Sequence, residues 1–221
     1  MIIILYLDNS ATTPILDEVR LKMITYLDKE FGNPSGKFYD LDENAKEAIE
    51  EARTNIASLI NCKNNEIIFT SGATESNNTV IKGIADYYSD KGKHIVTSKV
   101  EHPAVKDVCE FLEGRGFKVT YLDVDQYGRV DPLDVKEAIN NDTILVSIIW
   151  GNNELGSLND MNAISDVCKE NNILFHTDAT QVVGKVKVDL NEFEGISFLS
   201  FSAHKMHGPK GAGALFVRSN E

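Results

Sequence analysis

The sequence predicts an α/β fold, a mainly parallel sheet with helices on both faces. Three observations point to it. Short runs rich in Ile, Val and Leu, bounded by Gly, Asp or Ser, recur at 66–70, 94–98, 117–122, 143–149, 173–177, 196–201 and 213–217. Such runs suit strands buried on both faces. Amphipathic helical patterns lie between them, and strand–helix alternation builds a parallel sheet through crossover connections. The residues richest in chemistry stand just after the runs, where open sheets of this kind bind ligands.

Taken in order, the chain opens on Met1-Ile2-Ile3-Ile4-Leu5-Tyr6-Leu7-Asp8. This stretch is apolar but too short to span a bilayer, and it lacks the basic start and cleavage site of a signal peptide. Ala45, Ala48, Ile49, Ala52, Ile56 and Leu59 then form a helical stripe, predicting a helix that buries this face. The run 66–70 passes through Gly72 into another helix along Thr70-Ser71-Gly72-Ala73-Thr74-Glu75-Ser76-Asn77-Asn78. Small residues there let the helix N-terminus approach an anion, with Thr74 adding a hydroxyl. The same Ser/Thr/Glu pattern would also serve as a helix cap. It is not a P-loop, because no Gly-Lys-Ser/Thr follows.

Glu101-His102-Pro103 follows the run 94–98. His102 could mark the entry to a helix, or stack on an aromatic ring and move protons, since imidazole titrates near neutral pH. Cys109 and Cys168 continue helical apolar spacing and read as inert core thiols. Asp131-Pro132 is an N-cap followed by proline at the first helical position. Asn152-Asn153-Glu154 follows 143–149, and Asp178-Ala179-Thr180-Gln181 follows 173–177. Asp178 reads either as a turn aspartate or as a carboxylate able to keep a pyridine nitrogen protonated, with Gln181 reaching the same ligand. After 196–201 comes Ser202-Ala203-His204-Lys205-Met206-His207-Gly208-Pro209-Lys210-Gly211. A partly desolvated Lys205 amine could condense with an aldehyde cofactor, although one lysine alone also reads as a solvated loop residue. The coincidence of loaded strand ends favours a site. His204 and His207 could lie on one helical turn as metal ligands, but Gly208-Pro209 disfavours a helix and no third ligand stands nearby, so no metal is expected.

With 221 residues the chain can bury a sizeable core, and its 42% hydrophobic and 25% charged content is that of a soluble globular protein. A formal net charge of −12 argues against direct nucleic-acid binding, which wants a basic face. Cys62, Cys109 and Cys168 are far apart and form no C-x-x-C pair, so neither a disulfide framework nor a zinc site is expected. No membrane span is expected, and a cytoplasmic location is.

Together these motifs resemble the cysteine desulfurases, pyridoxal-phosphate enzymes that take sulfur from L-cysteine for iron–sulfur clusters and tRNA thiolation. The likeness runs through Tyr6-Leu7-Asp8-Asn9-Ser10-Ala11-Thr12-Thr13-Pro14, Phe31-Gly32-Asn33-Pro34-Ser35, the 70–78 segment, Val100-Glu101-His102, Asn152-Asn153-Glu154-Leu155-Gly156, Asp178-Ala179-Thr180-Gln181 and 200–218. It implies the three-layer large domain of fold-type-I pyridoxal-phosphate transferases, with an N-terminal arm at 1–14 and the cofactor-binding domain at 15–221. It implies that Lys205 carries the cofactor as a Schiff base, and that Asp178 pairs with the pyridine nitrogen and Gln181 with the phenolic oxygen. Ala73, Thr74, Ser202 and His204 would hold the phosphate. Asn153 would lie beside the ring and His102 would stack over it and relay protons.

The implied reaction turns L-cysteine into L-alanine and leaves the sulfur as a persulfide on a protein cysteine, since a thiolate is the side chain able to attack and hold it. A sulfur-acceptor or scaffold protein and a homodimer come with the same resemblance. Members of that family continue past the position of Glu221 into a C-terminal domain bearing the nucleophilic cysteine and a substrate-binding arginine. The chain is therefore expected to be incomplete at its C-terminus and poorly active alone. A selenocysteine lyase or another fold-type-I lyase, and a non-catalytic dimerisation or binding remnant, are the alternative readings.

Overall fold

A computed structural model describes residues 5–219. The apolar start at 1–4 and the last two residues lie outside the described part. The elements run α1 (Asp17–Asp28), α2 (Asp40–Ile60), β1 (Ile67–Thr70), α3 (Ala73–Tyr87), β2 (His94–Ser98), α4 (Pro103–Glu113) and β3 (Lys118–Leu122). They continue with α5 (Pro132–Ala138), β4 (Thr143–Ser147), α6 (Met161–Glu170), β5 (Leu174–Asp178), β6 (Ile196–Ser202) and β7 (Gly213–Val217).

The strands form one sheet in the order β1-β7-β6-β5-β4-β2-β3. From β3 through β6 neighbours are parallel, whereas β7 is antiparallel to both β6 and β1. The sheet is thus mainly parallel but mixed, because β7 returns beside β6 without a crossover helix.

Side chains alternate across the sheet with the two-residue period of a strand. Ile95 and Leu145 face α3 and α4, where they join Ile81, Val105, Val108 and Leu112. Val96 and Val146 face the other way and pack with Val135 of α5, Ile164 and Cys168 of α6, and Phe175. Helix, sheet and helix therefore make three layers. Phe175, Phe201 and Phe216 are fully buried, and burying each such ring contributes about 1.5–3 kcal/mol.

The expected burial on both faces holds for the central strands and fails at the edges. All residues of β2 and β4 are buried, but in β1 Ile68 and Phe69 are exposed and in β3 only Leu122 is buried. An edge strand has a neighbour on one side only, so the helices cover it poorly. The stripe predicted for α2 also differs. Its buried residues are Asp42, Ala45, Ala57 and Ile60, whereas Ile49 and Leu59 are exposed. Ala45, Ala48, Ile49 and Ala52 instead line an apolar groove together with Tyr26 and Leu27 of α1. Helix α1 itself has no buried residue.

Caps behave as their residue types dictate. Asp131 accepts from the Leu133 N–H at 2.9 Å to start α5, and Asn61 ends α2 in the left-handed conformation at φ 52°. Among the described residues, no helix is long and apolar enough to cross a membrane.

Candidate active site

The carboxyl ends of β2, β4, β5 and β6, the N-terminus of α3 and the arm at residues 8–11 enclose a cleft of about 590 Å³, a size that holds a small organic ligand. Its walls include His102, Ala73, Thr74, Asn153, Asp178, Gln181, Ser202, His204 and Lys205. The structure thus brings together every site residue expected from the sequence.

The N-terminus of α3 meets β7 and β6 at very short range. Gly72, the residue before the helix, has φ 150°, which an L side chain rarely adopts. A Cβ on Gly213 would lie 2.5 Å from the Gly72 Cα, so two bare backbones are needed for this approach. Ser202 closes the corner by accepting from the Ala73 N–H at 2.7 Å. The capping reading of the same segment is met in part, since Glu75 reaches back to the Ser71 N–H at 2.6 Å.

Asp178 ends β5 and is buried. One carboxylate oxygen accepts from Asn77 Nδ2 at 2.7 Å and the other from the Thr180 N–H at 3.0 Å. The expected turn role is met by the Thr180 bond, and the same residue also lines the cleft. His102 likewise does two things. It precedes α4, its Nδ1 accepts from the Ala104 N–H at 3.1 Å, and its ring still lines the cleft. With Nδ1 engaged as an acceptor, the proton of the neutral ring belongs on Nε2. Asn153 is presented by its neighbour, because the Asn152 side chain accepts from the N–H groups of Glu154 and Leu155 at 2.9 Å each.

Lys205 sits in a single short 3₁₀ turn, Ala203–Lys205, directly after β6. Its Nζ donates to the Ser10 carbonyl and, at 2.8 Å, to the Ala11 carbonyl. Burial and then the positive charge of Lys185 hold its amine below the ordinary lysine range, against Asp8 and Asp178. The arm is fastened to the same turn, since the Thr13 N–H and hydroxyl both donate to the His204 carbonyl at 2.9 Å. His204 Nδ1 pairs with Thr12 Oγ1 at 3.1 Å, while His207 Nδ1 faces the Pro14 carbonyl at 3.0 Å. The two imidazoles are thus engaged separately with the arm.

Other residues of the site escaped the sequence reading. Ser147, His176 and Ser200 link β4, β5 and β6 beneath the cleft, with His176 Nδ1 2.8 Å from Ser147 Oγ and Nε2 3.0 Å from Ser200 Oγ. Burial pushes His176 down to about 4, so this ring is neutral. Glu101 is also buried, and its Oε1 accepts from Ser98 Oγ at 2.5 Å and from the Ile149 N–H at 2.9 Å. Burial pushes its carboxyl up to about 8, with Asp178 adding to the rise. Asn77 had a legible signal, because it lies four residues after Ala73 and so shares its helix face. Glu101 was legible only as part of the strand end 101–102, and neither its burial nor that of His176 had a signal, since both depend on strands brought together by the fold.

Glu101 has a measurable signature. The folded state keeps its proton after the unfolded chain has released it, so stability falls as pH rises from 4.5 to about 8. His176 acts oppositely between about 4 and 6.5, which leaves the upper part of the Glu101 window unopposed by that group. Between those upper limits the urea midpoint of the native chain is expected to fall, and that of Glu101→Gln to stay nearly flat. Parallel falls in the two proteins would refute this assignment.

Fold and cleft together define a class. The chain belongs to the aminotransferase class-V family, whose model matches residues 5–221. Among particular proteins, it is 53% identical over 213 residues to the cysteine desulfurase IscS of Neisseria meningitidis serogroup C / serotype 2a, covering 96% of this chain and 52% of that protein. The chain therefore spans about half the length of the curated relatives it matches. A solved structure of SspA in complex with cysteine superposes with a TM-score of 0.94 at 41% identity, covering 98% of this chain and 62% of that one. An apo cysteine desulfurase from Thermococcus onnurineus NA1 gives 0.89 at 30% identity, covering 96% and 53%.

Proposed function

We propose that this chain carries the cofactor-binding part of a pyridoxal-phosphate-dependent cysteine desulfurase. The observation that carries the reading is the meeting of the Lys205 amine, the Asp178 carboxylate and the N-terminus of α3 in one cleft. The residues fit the cofactor. Asp178 has two hydrogen-bond donors, leaving carboxylate lone pairs for a ring N–H. Thr180 Oγ1, on the cleft wall, is buried without a partner. Ala73 and Thr74 put the N-terminus of α3 on the cleft wall, where backbone amides and the helix dipole favour an anion such as a phosphate.

Pyridoxal phosphate, when bound, supplies an aldehyde that joins amines and a ring that accepts the electrons left at the substrate α-carbon. The chain's own residues do the rest. Asp178 would keep a proton on the ring nitrogen, and Gln181, whose Nε2 here donates to the Ser10 carbonyl, would serve the ring oxygen. Ala73, Thr74, Ser202 and His204 would hold the phosphate, and Asn153 and His102, also on the cleft wall, would lie beside the ring. Lys205, whose Nζ here donates to the Ser10 and Ala11 carbonyls, would be the amine that holds the aldehyde, and as a free amine it would carry a proton within the cleft. In the net reaction, L-cysteine and a thiol give L-alanine and a persulfide.

That thiol is none of the chain's own. Cys62, Cys109 and Cys168 are absent from the cleft walls, and burial pushes each up to about 12. To the same proposal belong the division into an arm at 1–14 and a large domain from Ile15, homodimerisation, a cytoplasmic setting and delivery of sulfur to an acceptor or scaffold protein.

The test is exchange of the α-proton of L-cysteine with deuterium in heavy water, followed by proton NMR with the chain and pyridoxal phosphate. Exchange above the level given by free pyridoxal phosphate, and lost on replacing Lys205 by Ala, is expected. Exchange no faster than with free pyridoxal phosphate would sink the proposal.

A further inference from the structure

Lys185 has no role in the reading above, yet the structure ties it to the site. After β5 the chain makes a helical turn in which the Val182 and Val183 N–H groups donate to the Ala179 carbonyl at 2.9 and 3.0 Å. That turn stacks Lys185 on Gln181, four residues earlier. The Lys185 ammonium donates to Gln181 Oε1 at 2.7 Å, and Gln181 Nε2 donates to the Ser10 carbonyl at 2.8 Å. The same Ser10 carbonyl accepts from Lys205 Nζ. Gly184 bends the turn at φ 79°, and the Met206 side chain, next to Lys205, packs 3.0 Å from where a Gly184 Cβ would stand.

An ammonium has donors and no acceptor. Lys185 and the Ser10 carbonyl therefore fix the Gln181 amide from its two ends, with Oε1 toward the lysine and Nε2 toward Ser10 and the cleft. Without Lys185, the Ser10 carbonyl alone would hold the amide in this orientation, and Oε1 would lose its partner. We propose that Lys185 is a positioning residue, the outer end of a hydrogen-bonded chain through Gln181 and the Ser10 carbonyl that orients the Lys205 amine.

This rests on the reading of Lys205 as the amine that joins the cofactor. Charge works in the same direction. After burial, Lys185 is the largest influence holding Lys205 below the ordinary lysine range, and Asp8 and Asp178 are the carboxylates that oppose it. A neighbouring cation is one of the ways a lysine amine is activated.

The test needs no cofactor. Lys205 in the folded chain is labelled competitively with acetic anhydride across a pH series and quantified by peptide mass, in wild type, Lys185→Met and Lys185→Arg. In Lys185→Met the labelling midpoint is expected to move up, with labelling near neutral pH slowed about threefold, the effect of one partly screened charge. Lys185→Arg, which keeps donor and charge, is expected to behave as wild type. An unmoved midpoint in a Lys185→Met chain with native circular dichroism overturns the proposal, as does an equal shift in Lys185→Arg. Should Lys185→Met misfold, Lys185→Gln is read by the same criterion. The cofactor reading is judged separately: failure of pyridoxal phosphate to react at Lys205 would sink that reading, while an unmoved midpoint would sink only the role of Lys185.

Discussion

Asp178→Asn is expected to weaken pyridoxal phosphate binding by about 30- to 1000-fold, the cost of removing one partner of a buried hydrogen-bonded charge pair. Asparagine keeps the volume and can still accept from Asn77 Nδ2 or the Thr180 N–H, the two donors that hold the carboxylate. The fold should therefore survive. What is lost is the negative charge that the proposal sets opposite the ring nitrogen, in a buried layer where His176 is held neutral by burial. In a site removed from water that charge counts for more than it would at the surface. Absorbance titration with pyridoxal phosphate, alongside circular dichroism, checks this. A native spectrum with unchanged affinity would mean that Asp178 serves only the turn to Thr180.

Where a side chain's position follows from its own strand or helix, the sequence showed it. Asp178 at the end of β5, Ser202 at the end of β6 and Gly72 before α3 each stand where an apolar run meets a turn, and strand ends are where open sheets bind ligands. Central strands such as β2 and β4 were legible because burial on both faces leaves an unbroken apolar run. The edges were less so. Ile68 and Phe69 are as apolar as core residues, and only the sheet order places β1 at the rim. The apolar positions of α2 carried a similar ambiguity, since periodicity identifies a face without saying what covers it. Ile49 is 36% exposed on that helix, whereas Ile60 is fully buried.

Contacts between distant segments were beyond the sequence altogether. The Ser10 carbonyl enters the site as a backbone acceptor, which no side-chain pattern announces. Lys185 looks like an ordinary solvent-facing lysine until the turn after β5 lays it on Gln181. Glu101 stands beside the more conspicuous His102, and its buried carboxyl is held by Ser98 at the end of β2 and by the Ile149 N–H just past β4. In each case the chemistry comes from tertiary proximity, not from local spacing.

Lys205→Ala is expected to have the largest effect of all, complete loss of covalent cofactor attachment. Among the described residues, two lysine amines, Lys185 and Lys205, are held below the ordinary lysine range with burial as the first cause. Lys185 donates to Gln181, whereas Lys205 faces the cleft beside Asp178 and the N-terminus of α3. Only Lys205 therefore combines a lowered basicity with a place for the ring and the phosphate. Borohydride reduction of the purified chain with pyridoxal phosphate, followed by intact and peptide mass, reads this directly. One adduct per chain on Lys205, absent from Lys205→Ala, is the predicted result. Adducts on Lys185, adducts scattered over surface lysines, or no adduct would contradict a cofactor site built by these residues.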